Sequence, residues 1–332
     1  MMAFFTTCVV TVTYGERTHL LAQVLAAARE CGAGSAIIVD NGTPLSAQKK
    51  LALLQKEMGA DFLQIVRLPE NTGSAGGFHA GLKEAASRQN VDFLWVLDDD
   101  TVPQEGALAA LEAAWKRLGG SADNAIMSYR ADKRAYQKVV ARKFLHWIEP
   151  DAFFDFNIGH IWNGGKRRAR LEGGCIELGV AAYGGIWFAR SWLDRITLPP
   201  TEFYLYFDDY AFSQQIPQNG GCIWLCPESR LHDIDQSWQA NTAQSDRKKM
   251  PHPWLAKSSE DRRVFYTVRN RIWLERPSVV RPWLYRLNII GYCTVKVAGL
   301  TVLRAPKTFL SGGFLRQRIG LLARAIREGL SN

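Results

Sequence analysis

The sequence VDFLWVLDDD, residues 91–100, joins an apolar segment to three consecutive aspartates. Val91 to Leu97 has the length and composition of a strand, and Pro103 marks the start of a helix soon after the acids. A strand that ends in polar residues and leads into a helix is one repeat of an α/β fold. In such folds ligands bind at the carboxyl ends of the strands, where the three aspartates are expected to lie.

The same alternation of strand and helix occurs four times in the first 118 residues. Apolar or β-branched runs predict strands, and amphipathic or glycine-led segments predict the helices that follow them. This rhythm predicts an α/β fold with a mostly parallel sheet flanked by helices and a Rossmann-like nucleotide-binding half. The predicted strands are Thr6–Tyr14, Ser35–Val39, Phe62–Val66 and Val91–Leu97, and the first three helices are Thr18–Glu30, Leu45–Met58 and Asn71–Arg88.

The pattern divides the chain of 332 residues into three parts. Residues 1–235 form a predicted catalytic domain, with the nucleotide-binding half at 1–118 and an acceptor and base half at 175–235. The polar segment 236–259 is predicted to be a mobile linker or loop, and 260–332 a basic helical region. Polar clusters are predicted in both halves of the catalytic domain.

The distribution of charge narrows the possible partners. The chain carries a formal net charge of +9, but residues 281–332 hold nine basic residues and one acid, while the preceding 280 residues hold 32 basic and 31 acidic ones. A nearly neutral main body offers no broad basic face to a nucleic acid backbone, so no nucleic acid partner is expected. The excess charge belongs to the C-terminal part.

Cysteine spacing and the N-terminus predict the compartment. The six cysteines lack the spacing of a zinc or redox site and are interpreted as reduced thiols. The first residues, Met1 to Phe5, lack the basic segment and cleavage site of a signal peptide. We therefore expect a cytoplasmic protein, with the cysteines free.

Three adjacent acids at the end of a strand repel one another unless a cation lies among them. Carboxylate oxygens are ligands that Mg²⁺ and Mn²⁺ prefer. Because alternate residues of an extended chain point the same way, Asp98 and Asp100 can share one ion while Asp99 faces another group. The alternative is a solvated acidic turn that caps the helix beginning near Pro103.

Two further clusters follow the second and third strands. Asp40 can accept a hydrogen bond from a nucleobase, or it can form an Asx turn into Gly42. Asn71 precedes a glycine-rich turn with Gly76 and Gly77, which allows close backbone approach to a diphosphate. The turn matches neither the GxGxxG pattern of nicotinamide dinucleotide binding nor the P-loop pattern.

With these motifs, the first 235 residues resemble family 2 glycosyltransferases of the GT-A fold. Asp98-Asp99-Asp100, Phe207-Asp208-Asp209 and His232 together resemble bacterial galactofuranosyltransferases. The resemblance implies that Asp98, Asp100 and His232 bind Mn²⁺ or Mg²⁺ and that Asp208 is the catalytic base. The remaining predicted site residues bind the donor (Thr13, Arg17, Asp40, Asn71, Gly76, Gly77 and Asp99) or the acceptor (Gly184, Gly185, Trp187 and Asp209).

Sugar transfer explains this set of groups. A nucleoside diphosphate leaves with growing negative charge, which a metal stabilises. One carboxylate on the opposite face of the sugar takes the proton of the acceptor hydroxyl, and a single displacement inverts the anomeric carbon. Aromatic neighbours and Asp209 are expected to raise the pKa of Asp208. The alternatives are a helix N-cap for Asp208 and a structural role for His232.

The basic region carries a second prediction. Leu287 to Leu303 is apolar but interrupted by Lys296 and too short to cross a bilayer. In the final helix, one face holds Leu315, Ile319, Leu322, Ile326 and Leu330. This helix either packs within the protein or lies on an anionic membrane, which would place the enzyme peripherally on the inner face of the cell membrane.

The leading hypothesis is an inverting, metal-dependent enzyme that transfers galactofuranose from UDP-galactofuranose to a lipid-linked surface glycan of the O-antigen or galactan type. A rhamnosyltransferase using a dTDP-sugar is the main rival. The rhamnosyltransferases that the sequence resembles often carry Gln in the middle of the acidic motif, at the position that Asp99 occupies here. A sugar-nucleotide nucleotidyltransferase would need a GxGTRLxP-like loop, which the segment 13–17 does not match. A non-catalytic glycan-binding or membrane-binding protein is the remaining alternative.

Overall fold

A computed structural model of the chain describes residues 5–160, 167–235, 254, 260–299 and 313–331. Ten strands form one sheet in the order β3-β2-β1-β4-β9-β6-β10-β8-β7, and β5 pairs with β10. The strands are β1 Thr7–Thr13, β2 Ser35–Asn41, β3 Leu63–Leu68, β4 Phe93–Val96, β5 Thr101–Pro103, β6 Asn124–Arg130, β7 Leu171–Glu172, β8 Cys175–Leu178, β9 Ile186–Ala189 and β10 Cys222–Asp233.

The first four predicted strands are present and pair in parallel across β3, β2, β1 and β4. β9 then runs antiparallel to β4 and β6, which makes the whole sheet mixed. Strands β1 and β2 are buried along their whole length, as expected where helices cover both faces of a parallel sheet. The predicted α/β fold is confirmed.

Helices follow the strands and continue through the C-terminal part. The first three lie close to their predicted positions, and the last three form a helical region as expected. The fourth begins at Ala107 rather than at Pro103, because Pro103 ends strand β5. The helices are α1 Thr18–Glu30, α2 Leu45–Met58, α3 Gly73–Ala86, α4 Ala107–Arg117, α5 Arg134–Arg142, α6 Asp208–Ser213, α7 Gln215–Gln218, α8 Asp261–Glu275, α9 Pro282–Gly291 and α10 Gly313–Ser331.

The chain divides into two compact units. Of the described residues, the first unit contains 5–147, 167–204 and 208–235, and the second contains the rest, including 148–160 and 205–207. The sequence-based division therefore needs a correction, because two segments that precede Asp235 pack with the helical region. The predicted linker, 236–259, lies outside the described residues except for Trp254.

Trp187 belongs to the core of the first unit, which corrects its predicted contact with the acceptor. Its side chain has no exposed area and stacks on Phe93, with the ring centroids 3.8 Å apart. The indole N–H donates to Thr7 Oγ1 at 3.2 Å. A ring that is buried between strands cannot stack on a sugar.

The last helix, α10, packs along α8 in the second unit. Leu322 and Ala325 are buried, and a Cβ atom at Gly329 would lie 2.9 Å from Ile272. The predicted apolar face is therefore divided, because Leu322 enters the core while Ile319 and Leu330 are 55% and 40% exposed. None of the described helices has the length and hydropathy needed to cross a membrane.

Asn270, in α8, holds the segment Leu205–Phe207 that directly precedes Asp208. The buried amide of Asn270 donates to the carbonyl oxygens of Leu205 at 2.7 Å and Tyr206 at 3.0 Å. Tyr206 and Phe207 have φ angles of 71° and 65°, which cost side-chain-bearing residues conformational energy. The two hydrogen bonds help to maintain this strained backbone.

Replacing Asn270 with alanine is expected to lower the free energy of unfolding by about 2–3 kcal/mol, because it leaves two carbonyl groups without their donor. Urea unfolding measures the loss. The exposed Asn90 provides the control, since Asn90→Ala is expected to change stability by less than about 0.5 kcal/mol. Equal effects of the two substitutions would contradict this role of Asn270.

Candidate active site

The carboxyl ends of β1, β2 and β4 meet at one edge of the sheet. Thr13 and Asp40 are register partners at the ends of β1 and β2, and the three aspartates follow β4. Thr13 Oγ1 donates to Asp99 Oδ2 at 2.8 Å, and both side chains are buried. Asp99 therefore faces β1, as the alternation of side chains predicts.

Arg17 lies among the acids rather than on the surface. Its Nε and Nη2 atoms donate to Asp99 at 2.9–3.1 Å, and Nη2 also donates to Asp100 Oδ2 at 2.8 Å. Its Nη1 atom donates to Asp235 Oδ2 at 2.5 Å. Because a guanidinium group presents several donors in one plane, a single side chain joins three carboxylates.

Arg130 performs the same task for the remaining acids. Its Nη1 atom donates to Asp98 Oδ2 at 2.9 Å and its Nη2 atom donates to Asp233, which Lys133 also contacts at 2.5 Å. Arg130 ends β6 and Asp233 ends β10. The end of β10 is thereby tied to the aspartate cluster that follows β4.

Five carboxylates thus contact two guanidinium groups, with Lys133 as a third cation, and we call this set the carboxylate cluster (Asp98, Asp99, Asp100, Asp233 and Asp235). The positive charge that was expected among the adjacent aspartates is thus supplied by side chains of the protein itself. An excess of two negative charges remains, which one divalent cation would neutralise. Burial, with the charges of Asp98 and Asp99, raises the pKa of Asp100 to about 6.

The metal ligand set needs a correction at His232. His232 is exposed and lies in β10 between Leu231 and Asp233. Since successive strand residues point to opposite faces, the contact of Asp233 with Arg130 directs His232 away from the acids. Within the part of the chain that the structure describes, no group of three or more His, Cys, Asp or Glu side chains is arranged to hold a metal ion. Asp98 and Asp100 remain candidates because their oxygens suit Mg²⁺ or Mn²⁺.

Gly184 and Gly185 give the cluster room. A Cβ atom at Gly184 would lie 2.2 Å from Arg130 Nη1 and 2.4 Å from Asp98 Oδ2, so the Asp98–Arg130 pair occupies the space that glycine leaves. Gly185 has a φ angle of 122° and its N–H donates to the carbonyl of Val96 at 2.8 Å. These contacts explain both glycines without an acceptor, and their acceptor role stays a prediction.

The glycine-rich turn packs against the chain's own backbone. A Cβ atom at Gly73 would lie 1.9 Å from the carbonyl oxygen of Tyr204, which accepts a hydrogen bond from the N–H of Ala75 at 3.2 Å. The N-terminus of α3 is therefore covered where a diphosphate was expected. Gly77 packs closely on Val12 of β1, which corrects its predicted contact with the donor.

Asn41 organises this turn and was not predicted from the sequence. Its Oδ1 atom accepts from the Thr72 N–H at 2.9 Å, and its Nδ2 atom donates to the Gly73 carbonyl at 2.9 Å. Asn71 accepts from the Gly73 N–H at 2.9 Å. Asn71 thus stabilises the turn locally, whereas donor binding by Asn71 and Gly76 stays a prediction.

Asp40 forms the Asx turn and also keeps an acceptor available. Its Oδ1 atom accepts from the Thr43 N–H at 3.0 Å. Its Oδ2 atom is buried and makes no hydrogen bond with the described residues, and Arg67 Nε lies 3.8 Å away. A buried carboxylate oxygen of this kind suits an N–H donor from a ligand.

Asp208 begins α6 and is joined to α3 by a hydrogen bond. Ser74 Oγ donates to Asp208 Oδ1 at 3.0 Å. Asp208 Oδ2 is buried and forms no well-aligned hydrogen bond with the described residues, although the buried hydroxyl of Tyr183 interacts with this carboxyl group. Burial raises the pKa of Asp208 to about 7, and the charge of Asp98 adds to this shift. Burial and the charge of Asp208 raise the pKa of Asp209 well above its usual value.

Sequence reasoning identified the acids but missed several of their partners. Arg130, Asp233 and Asp235 carry no motif of their own, and their contacts join residues about 30 to 220 positions apart. The end of β6 was one available signal, because it is another strand terminus. The polar residues around His232 were another, since strand alternation makes Asp233 its opposite-facing neighbour.

Comparisons with known proteins identify the family and the fold. Residues 8–196 match the family model for glycosyl transferase family 2. The fold is similar to a mannosyltransferase from Pyrobaculum calidifontis in complex with GDP-Man and Mn²⁺, at TM-score 0.51 and 13% identity, covering 98% of this chain and 88% of that one. It is also similar to GalNAc-T7 with UDP, GalNAc and Mn²⁺, at TM-score 0.51 and 11% identity, covering 89% and 59%. No curated protein matches in sequence.

Replacing Arg17 with glutamine is expected to destabilise the metal-free protein by about 3 kcal/mol, because three carboxylates lose their shared cation. Thermal unfolding in EDTA measures the effect. The control is Lys50→Gln, which breaks the exposed Lys50–Glu16 pair and should change stability by less than about 1 kcal/mol. An unchanged melting temperature for Arg17→Gln would refute the stabilising role of Arg17.

Proposed function

The chain belongs to glycosyl transferase family 2, and we propose that it transfers a sugar from a nucleoside diphosphate donor to a hydroxyl group of a glycan. The observation that carries the proposal is the Asp208 carboxyl group. Its Oδ2 atom is buried and forms no well-aligned hydrogen bond with the described residues, and burial together with the charge of Asp98 in the carboxylate cluster raises its pKa. A carboxyl group with a pKa near 7 and an available oxygen is suited to accept a proton.

The carboxylate cluster supports binding of a metal and an anionic donor. Its excess of two negative charges matches one divalent cation, and both similar structures contain Mn²⁺ with nucleotide ligands. Asp98 and Asp100 would hold Mn²⁺ or Mg²⁺ through their oxygens. When bound, the metal supplies positive charge that stabilises the leaving diphosphate.

The other groups of the site orient the donor. Asp40 Oδ2 is available to accept an N–H of the base, and the end of β1 places Thr13 beside it. Thr13 and Arg17 both donate hydrogen bonds to Asp99 and thereby fix the position of its carboxylate. Arg17 is the proposed cationic contact of the donor. With a metal offsetting the charge of the aspartates, its guanidinium group would be able to donate a hydrogen bond to a phosphate oxygen.

Proton removal by Asp208 implies a single displacement with inversion at the anomeric carbon. The proton passes from the acceptor hydroxyl to Asp208 Oδ2 while the sugar carbon forms its bond to the acceptor oxygen and the bond to the diphosphate oxygen breaks. Since Asp208 is only 2% exposed, the side chains around it must move for an acceptor to reach the carboxyl group. Asp209, the next residue, is the proposed acceptor contact.

We propose UDP-galactofuranose as the donor and a lipid-linked surface glycan as the acceptor, on the strength of the combined acidic motifs. A dTDP-sugar donor such as dTDP-rhamnose is the alternative. A panel of UDP-galactofuranose, UDP-galactopyranose, UDP-glucose and dTDP-rhamnose with a lipid-tagged acceptor distinguishes them. Turnover only with dTDP-rhamnose would overturn the donor assignment and leave the glycosyltransferase proposal intact.

UDP and Mn²⁺ are expected to raise the melting temperature more together than the sum of their separate effects. The metal would neutralise acids that repel the diphosphate, and the diphosphate would supply further oxygen ligands for the metal. Differential scanning fluorimetry measures this. Asp100→Asn is expected to remove the synergy, whereas Asp61→Asn, at an exposed acid far from the cluster in sequence, should retain it. Purely additive shifts in the unmodified protein would count against a shared site.

Asp208→Asn is expected to lower kcat by about 10²–10⁴-fold with UDP affinity nearly unchanged, because only proton removal is lost. In the unmodified enzyme kcat/KM should rise with pH and level off above about 7, where Asp208 is deprotonated. A residual rate with the same pH profile in the variant would remove Asp208 as the base.

Stability provides an independent check on the same residue. The folded pKa of Asp208 lies above the usual value for an aspartate, so the folded state binds the proton more tightly and loses stability as pH rises towards 7. Asparagine cannot ionise. The variant is therefore expected to melt no lower than the unmodified protein at pH 8, which separates loss of catalysis from loss of folding.

A further inference from the structure

The second unit exposes an apolar face on α9. Trp283, Leu287 and Ile290 are 62%, 46% and 58% exposed, and their spacing of four and three residues places them on one side of the helix. We call these three residues the apolar face. Seven of the eleven large hydrophobic side chains that are exposed among the described residues belong to the second unit. Clustered exposure of this kind marks an interaction surface.

Contacts on the opposite side of α9 fix this orientation. Asn288 is buried, accepts from the Ile158 N–H at 2.8 Å and donates to the Asp151 carbonyl at 2.8 Å. The buried Tyr285 donates through its hydroxyl to Glu275 at 2.9 Å. Because these hydrogen bonds hold one side of the helix in the unit, the apolar face is held outward.

An apolar groove extends this surface towards α10. The groove has a volume of about 670 Å³, and Ile290 and Leu330 are on its two walls. Its lining is almost entirely apolar, with Arg327 at the α10 side. Ile290 thus belongs both to the apolar face and to the groove, which makes them one continuous surface.

The part of the chain that carries this surface is rich in basic side chains. Between residue 276 and the end of the chain the sequence contains one acid, Glu328, which pairs with Arg269 at 3.1 Å. The exposed arginines of the same part are Arg276, Arg281, Arg286, Arg316, Arg324 and Arg327. The excess of basic over acidic side chains in this part of the chain favours a partner that supplies negative charge around an apolar centre.

We propose that the apolar face and its arginines form a docking surface for an anionic lipid bilayer. An exposed tryptophan beside aliphatic side chains and arginines is the composition that binds at the interface between headgroups and acyl chains. A second copy of this chain would place like charges opposite one another, so self-association is disfavoured. The surface uses no residue of the carboxylate cluster. It is centred on α9 and shares only Ile326 and Leu330 with the apolar face of the last helix that the sequence suggested.

The test is co-sedimentation of the full chain with vesicles of phosphatidylcholine alone or with 30% phosphatidylglycerol. Partitioning is expected to be at least tenfold stronger with the anionic lipid, because each basic residue near the surface raises the partition coefficient about fivefold. High salt is expected to weaken the partitioning. Leu287→Glu with Ile290→Glu is expected to reduce partitioning at least tenfold. The matched control is Leu53→Glu with Leu171→Glu, which changes the same charge at residues exposed by 60% and 56% in the first unit.

Two further measurements keep the outcome decisive. Brominated lipids should quench tryptophan fluorescence, and Trp283→Phe should remove most of that quenching. Light scattering without lipid should show the same mass for the unmodified chain and the Leu287→Glu, Ile290→Glu variant. Equal partitioning of that variant and its control, or a lipid-independent dimer that the variant dissociates, would overturn the proposal. UDP binding, measured in parallel, is expected to be unchanged in every variant.

Discussion

The compensation of crowded carboxylates at one edge of the sheet is the interaction on which the rest of the site depends. Parallel strands bring their carboxyl ends together, so acids from separate segments meet where they repel. Arg17 and Arg130 relieve that repulsion because each guanidinium group donates to more than one carboxylate. In the proposed function, the remaining negative excess is what attracts a divalent cation and, through it, an anionic donor.

This requirement extends into the surrounding fold. The Asp98–Arg130 pair needs the space that a side chain at position 184 would occupy, so the glycine there is a consequence of the ion pair. The same arginine reaches Asp233 and thereby fixes the end of β10 against the aspartates that follow β4. Electrostatics and backbone geometry are therefore coupled at this point, and a change in either disturbs both.

The sequence predicts the three consecutive aspartates and places Arg17 near them, but it does not identify Arg130 as the cation that compensates Asp98. A run such as VDFLWVLDDD indicates a buried strand and its acids, because hydrophobic pattern and charge are local properties. The identity of the cation depends on β6 and β10 lying beside one another, which no local pattern records. Trp187 shows the same limit: aromatic residues suit both a sugar and a core, and only the pairing of β9 with β4 decides. The prediction for His232 was wrong for a different reason. Successive residues of a strand point to opposite faces of the sheet, so a shift of one residue decides whether a side chain points towards the aspartates.

Asp208, the proposed base, directly follows a segment, Leu205–Phe207, that belongs to the second unit. A base with a pKa near 7 needs burial, and burial of an acid costs stability, so the backbone that presents it has to be held. The preceding residues, Tyr206 and Phe207, have positive φ angles and depend on the amide of Asn270 for hydrogen bonds. The conformation of the segment that delivers the proposed base is thus maintained by a helix from outside the first unit.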